Sequence, residues 1–233
     1  MSDEATDDGT TTATPGWARA VIFGGAGLAL LLVGAIIGLL IGRAETAPAA
    51  AAPRPGPVDI GFAQDMSLHH LQAVTMGNIA RERGHDDTIR QIGYDIAATQ
   101  QSQVGWMQGW LALWGQPGQA PGAVMTWMPG GHGMHGMHDM PGMGGSGAPM
   151  PGMATDAELA KLRSLSGEKF DVYFLQLMLR HHQGGASMAE YAAKHANVGA
   201  VRALASSMVE SQGAEMELMR QMLAARGAKP LPF

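Results

Sequence analysis

The residues best suited to chemistry form two copies of one pattern, Met-x-x-His-His-x5-Met. They are Met66, His69, His70 and Met76, then Met178, His181, His182 and Met188. On a helix, positions i, i+3 and i+4 project from the same side, so Met66 lies beside His69 and His70, and Met76 follows two turns on. Thioether sulfur suits copper(I), and imidazole accepts copper in either oxidation state. Silver(I) is the surrogate that the same softness admits. Magnesium and calcium need oxygen donors that this face lacks. Structural zinc prefers thiolates, and the chain has no cysteine. The competing reading is a packed core in which each histidine finds a hydrogen-bond partner. For a single histidine that reading would be preferred. Four imidazoles on apolar helix faces, with no evident set of buried carboxylates, would leave polar groups unpaired at roughly a few kcal/mol each. A metal that accepts their lone pairs removes the cost. Such ligands must be neutral, so binding is expected to weaken below about pH 6. The spacing is compatible with one shared site or with two.

A second candidate is the segment from Met125 to Met153, with His132, Met134, His135, Met137, His138, Met140, Met143, Met150 and Met153 interleaved among glycine and proline. Low-complexity linker is the plain alternative, but histidines and methionines at this density make a metal-collecting composition. Ordering a flexible loop costs entropy, so weaker and more exchangeable binding is expected there. Glu82-x-x-His85 matches the Glu-x-x-His of di-iron bundles, yet Glu82 faces away from the apolar stripe and Gly84 follows, which reads as a solvated helix end. His195 near a helix C-terminus reads as a cap. Gln100, Gln103, Gln212 and Glu215 face inward, to orient the imidazoles or to pack. Trp106, Trp110 and Trp114 read as packing residues.

The elements that must position these groups come from a repeat. Residues 59–115 laid over 171–227, an offset of 112, give 14 identities in 57 positions, among them Asp59/Asp171, Phe62/Phe174, Gln64/Gln176, Arg90/Arg202, Gln100/Gln212 and Gly115/Gly227. Each copy reads as two helices. In the first, Phe62, Met66, His69, His70, Ala73, Met76, Gly77 and Ala80 share a face. A break near Gly84 follows, then Ile89, Ile92, Ile96, Gln100, Gln103, Met107, Trp110 and Trp114 line the next helix, which stops near Gly115. The second copy repeats this with Phe174, Met178, His181, His182, Gly185, Met188 and Ala192, then Val201, Leu204, Met208, Gln212, Glu215, Met219 and Met222. Two hairpins with one apolar stripe each predict an all-α, antiparallel four-helix bundle over 58–227. Thr155 with Glu158 predicts a capping box and a short extra helix. The crossover, 116–154, is expected to be a mobile loop.

Ahead of the bundle, Ala20 to Ile41 is entirely apolar or glycine between Arg19 and Arg43. That is enough to cross a hydrocarbon core of roughly 30 Å. We expect a short cytoplasmic tail (1–19), a single-pass anchor (20–42), an Ala/Pro-rich tether (43–57) and a final tail (228–233). The bulk of the chain would then lie outside the cell membrane. Cleavage in the Ala-rich stretch after Arg43 is the alternative. A net charge of −5 without a basic stripe argues against nucleic acid.

The string Asp59-x-x-Phe62-x3-Met66-x2-His69-His70-x5-Met76, with Gln100, Met107 and Trp110-Leu111-x2-Trp114-Gly115, resembles the domain-of-unknown-function 305 family. So does the second half, Met150-Pro151-Gly152-Met153 and then Gly167-x2-Phe170-Asp171-x2-Phe174-x3-Met178-x2-His181-His182-x5-Met188-Ala189. The resemblance covers about Asp59 to Gly227. It implies a ferritin-like four-helix bundle, commonly exported and sometimes membrane-anchored. Some members, the CopM-type proteins, bind copper and silver and support copper tolerance. The implied metal role falls on the eight histidines and methionines of the two copies. A departure is Gly184-Gly185, where the first copy has Gln72-Ala73, which is expected to loosen the third long helix and break exact symmetry. The function expected is non-enzymatic binding of copper for sequestration, tolerance or transfer to an unknown exchange partner. The alternatives are a di-iron redox enzyme and a structural bundle docking another membrane protein.

Overall fold

The computed structural model describes residues 31–39, 53–129 and 150–233. The chain divides into two units, Met1–Ala52 and Pro53–Phe233. In the first, residues 31–39 are helical. Among the described residues no helix is long and apolar enough to cross a membrane, and the rest of the expected anchor lies outside them.

The second unit is all-helical. Helix α1 (Pro57–Arg83) starts with proline at its first position, where the missing N–H costs nothing. Helix α2 (Asp87–Leu113) is capped by Asp86, whose side chain accepts from the Thr88 N–H at 2.8 Å. The short α3 (Asp156–Ser164) carries the expected Thr155/Glu158 capping box. Helices α4 (Gly167–His195) and α5 (Gly199–Ala225) complete the second hairpin. Each hairpin ends alike. Gly115 and Gly227 take the left-handed conformation, with φ of 65° and 62°, which only glycine adopts without cost. The turn lets Gln116 donate to the Leu111 carbonyl and Ala228 to that of Leu223.

The hairpins meet along α1 and α4, which run antiparallel, and they latch each other at both ends. Asp59, at the start of α1, accepts from the Asn197 and Val198 N–H groups of the α4–α5 turn at 3.0 and 2.8 Å. Asp171, at the start of α4, accepts from His85 and Asp86 of the α1–α2 turn at 2.8 and 3.0 Å. Arg90 and Arg202 tie their own turns through the Gly84 and Ala196 carbonyls. Gln64 and Gln176 donate to the carbonyls of Pro117 and Lys229, so the segments leaving both hairpins are held in the same way.

The buried core falls into two apolar clusters. One contains Met76 and Met178 with Phe170, Phe174, Met219 and Met222. The other contains Met66 and Met188 with Phe62, Met107, Met150, Met153 and Met208. Because α1 and α4 are antiparallel, each cluster takes one methionine from each copy of the motif.

The crossover departs from the expected mobile loop at both ends. Its leading part docks on α1: Asp65 accepts from the Met125 N–H at 2.6 Å and the Trp127 indole N–H at 2.8 Å, and Trp127 packs edge-on to Phe62. Its trailing part is buried through Met150 and Met153. Gly and Pro composition does not forbid packing when another element supplies the complementary surface. Trp110 and Trp114 stack against the core as expected, but Trp106 is 56% exposed.

Candidate metal centre

The eight histidines and methionines of the doubled motif are all buried. The amphipathic pattern that sends Phe62, Met66, Ala73 and Met76 inward carries His69 and His70 with them, and the second copy does likewise. The His69 and His181 rings meet across the hairpin interface, tilted by 39° with centroids 3.8 Å apart, and the His181 and His182 rings are 6.2 Å apart.

Every imidazole uses the same nitrogen toward the protein. His70 Nε2 is 2.8 Å from Gln103 Oε1, and His182 Nε2 is 2.6 Å from Glu215 Oε2. His69 Nε2 is 3.2 Å from the Pro151 carbonyl, and His181 Nε2 is 3.0 Å from the His69 carbonyl. Carbonyl and carboxylate oxygens only accept, so Nε2 carries the hydrogen and Nδ1 the lone pair. The Nδ1 atoms of His69, His70 and His182 are buried with no partner. The packed-core reading is therefore met on one side of each ring and fails on the other for three of them. That is the arrangement of metal-binding histidines, whose second nitrogen donates to an oxygen that fixes tautomer and orientation.

Burial keeps the His69, His70 and His181 rings neutral. Burial holds the His69 imidazole at about 4 and the His70 imidazole at about 3, and it pushes His181 well below the ordinary 6.5; neighbouring imidazoles add to each shift. Neutral rings are the ligating form. Among the described residues no group of three or more His, Asp or Glu is arranged to hold an ion by itself. Any ion here must draw on thioether sulfur as well, or on movement of the rings. Among the described residues Glu215 is the one carboxylate hydrogen-bonded to these histidines, a pairing that the inward-facing position of Glu215 in the sequence had pointed to.

The asymmetry expected from Gly184-Gly185 is present, but α4 runs unbroken through it. The trailing crossover lies on these glycines: a Cβ at Gly184 would collide with the Pro151 carbonyl, and one at Gly185 would come within 3.1 Å of His69 Cε1. The equivalent residue in the first copy, Gln72, grips the same segment from the other side, donating to the Ala154 carbonyl at 2.8 Å and accepting from its N–H at 2.6 Å. Arg180 pairs with Glu158 at 2.7 and 2.8 Å and fixes α3 to α4. The departures from symmetry thus seat a strap, residues 150–155, over His69. Its contribution, a backbone carbonyl, carries no side-chain signal in sequence.

His132, Met134, His135, Met137, His138, Met140 and Met143 lie outside the described residues. Met150 and Met153 are buried in the same apolar cluster as Met66 and Met188 rather than carried on an open loop. Glu82 and His85 are exposed, a solvated helix end as expected. His195 is exposed and rests on the Tyr191 ring, with centroids 4.3 Å apart.

Comparison with known proteins matches residues 59–223 to the family described as Domain of unknown function (DUF305). A solved DUF305 protein from Streptomyces coelicolor, inferred to be secreted, is 46% identical at a TM-score of 0.65, over 76% of this chain and 98% of that one. A DUF305 fragment from Deinococcus radiodurans is 31% identical at 0.58, over 74% and 99%. CopM in its Cu(II)-bound form is 25% identical at 0.54, over 72% and 96%. CopM has also been solved with Cu(I) and with silver, at 21% and 20% identity, where the likeness is one of fold. None of the curated proteins compared matches the chain.

Proposed function

The chain belongs to the DUF305 family, and from that premise we propose that it is a non-enzymatic binder of soft metal ions. Copper(I) is the first cargo, copper(II) is admitted by the imidazoles, and silver(I) is a surrogate. The observation that carries this reading is the uniform use of Nε2 by four buried histidines, which leaves bare Nδ1 lone pairs at His69, His70 and His182. Met66, Met76, Met178 and Met188, fully buried on the same two helices, supply thioethers without desolvating any charge. CopM, known with Cu(I), Cu(II) and silver bound, supports the same class of cargo. A di-iron centre would need several inward carboxylates, and among the described residues Glu215 alone meets the histidines. The Gly-rich segment with His132, His135 and His138 collects ions and passes them on. The apolar run Ala20–Ile41 supports a membrane-anchored, extracytoplasmic placement, and the secretion inferred for the Streptomyces coelicolor relative supports export.

The test is anaerobic loading of the purified protein with copper(I) against a chromogenic chelator, compared with His69, His70, His181 and His182 all changed to Ala. The wild type should outcompete the variant. Equal competition by two folded proteins would end the bundle-site reading in favour of a structural bundle. Deleting residues 130–149 probes the loop separately, and protease accessibility on intact cells tests the orientation.

A further inference from the structure

The repeat puts Gln103 and Glu215 at equivalent positions, and each receives the Nε2–H of the second histidine of its pair, at 2.8 and 2.6 Å. One half of the cluster is therefore backed by a neutral amide and the other by a carboxylate. The remaining two histidines donate to backbone carbonyls, which carry no formal charge. Arg180, next to His181, is paired with Glu158 and adds no net charge.

We propose that this mismatch selects the charge of the cargo. One carboxylate behind four imidazoles is matched to a singly charged ion, and Gln103 is the positioning residue that withholds the second negative charge a divalent ion would need. The inference rests on the reading that the histidine cluster binds metal, and it adds which ions the cluster prefers. In a buried site the cost of desolvating an ion grows with the square of its charge, while its attraction to a single carboxylate grows only in proportion. A divalent ion beside Glu215 alone leaves one positive charge uncompensated in the interior, and a monovalent ion leaves none. The amide at 103 holds His70 in the same tautomer as a carboxylate would, so orientation is kept while charge is omitted.

The experiment measures apparent association constants for silver(I) and copper(II) with the full chain and three variants: Gln103→Glu, Glu215→Gln and the double swap. Copper(II) is the divalent probe because it binds such ligands most tightly among its neighbours in the series. Gln103→Glu should raise the copper(II)-to-silver(I) ratio about tenfold or more, and Glu215→Gln should lower it by a similar factor, the scale of outer-shell changes at metal sites. The double swap restores the carboxylate count and should return the ratio to within about threefold of wild type, which local damage at either position would not do. If Gln103→Glu does not fold, Glu215→Gln alone carries the opposite-sign prediction. An unchanged ratio across the folded proteins, copper(II) binding undetectable in all of them, or a double swap that fails to restore the ratio would overturn the proposal. Silver(I) bound equally by wild type and by the four-histidine variant would instead refute the parent reading.

Discussion

Acidifying the metal-free protein should destabilise it steeply well before its carboxylates protonate. The His69 and His70 imidazoles are held at about 4 and about 3, and His181 well below 6.5, with burial the main cause in each case. The unfolded chain takes up protons near 6.5 that these native rings refuse, so their contribution to stability is present above pH 6.5 and is lost as pH falls toward 4 and 3. Between pH 7 and 5 each ring costs about 2 kcal/mol, and the three together at most about 6 kcal/mol. Domains of this kind have about 5–15 kcal/mol in total. With a urea slope of about 2 kcal/mol per molar, the midpoint followed by far-ultraviolet circular dichroism should drop by up to about 3 M over that range. His70→Gln should remove one proton from the linkage, flattening the dependence by about 1.4 kcal/mol per pH unit. Silver(I) at saturation should raise the midpoint and leave this slope unchanged, because the native rings take up almost no protons over that range with or without it. A midpoint that moves by less than about 0.5 M between pH 7 and 5 would refute the reasoning, since it would mean the rings are not held neutral by burial.

Three further outcomes follow from particular contacts. Gly184→Ala should destabilise the protein by about 1–3 kcal/mol by pushing the strap off α4, because the new Cβ would meet the Pro151 carbonyl and lie 2.7 Å from the Gly152 nitrogen; urea unfolding and hydrogen exchange at Met153–Thr155 check it. Asp59→Ala and Asp171→Ala should each cost about 2–5 kcal/mol and speed amide exchange at Asn197–Val198 and at His85–Asp86 respectively, the turn of the opposite hairpin in both cases. Gly105→Ala and Gly109→Ala, at positions in α2 where an added Cβ meets open space, should each raise stability by about 0.5–1 kcal/mol, read as an increase in Tm.

Much of the fold was legible because helical periodicity and the repeat speak to the same faces. The inward aim of His69, His70, His181 and His182 follows from their spacing to Phe62, Met66, Phe174 and Met178, and α3 follows from Thr155 with Glu158. What escaped were interactions whose partners are distant or have no side chain. The Pro151 and His69 carbonyls that accept from His69 and His181 leave no mark on residue identity. The low-complexity look of the crossover hid the burial of Met150 and Met153, because the surface that receives them, on α4 and beside Gln72, is remote in sequence. The identities Asp59/Asp171, Gln64/Gln176 and Arg90/Arg202 were a usable signal. Polar residues kept in both copies of a repeat, away from the histidines, turned out to anchor its turns and exits.

The reciprocal latches at Asp59 and Asp171 bear on how the molecule assembles. Either half by itself would own an acidic clasp with nothing to fasten and a bend with nothing to fasten it, so neither is complete until its counterpart arrives. Maturation should therefore proceed as a single concerted event. Two copies of a lone half would offer each other the same pair of missing pieces, which makes exchange of halves between neighbouring molecules the natural error of this architecture.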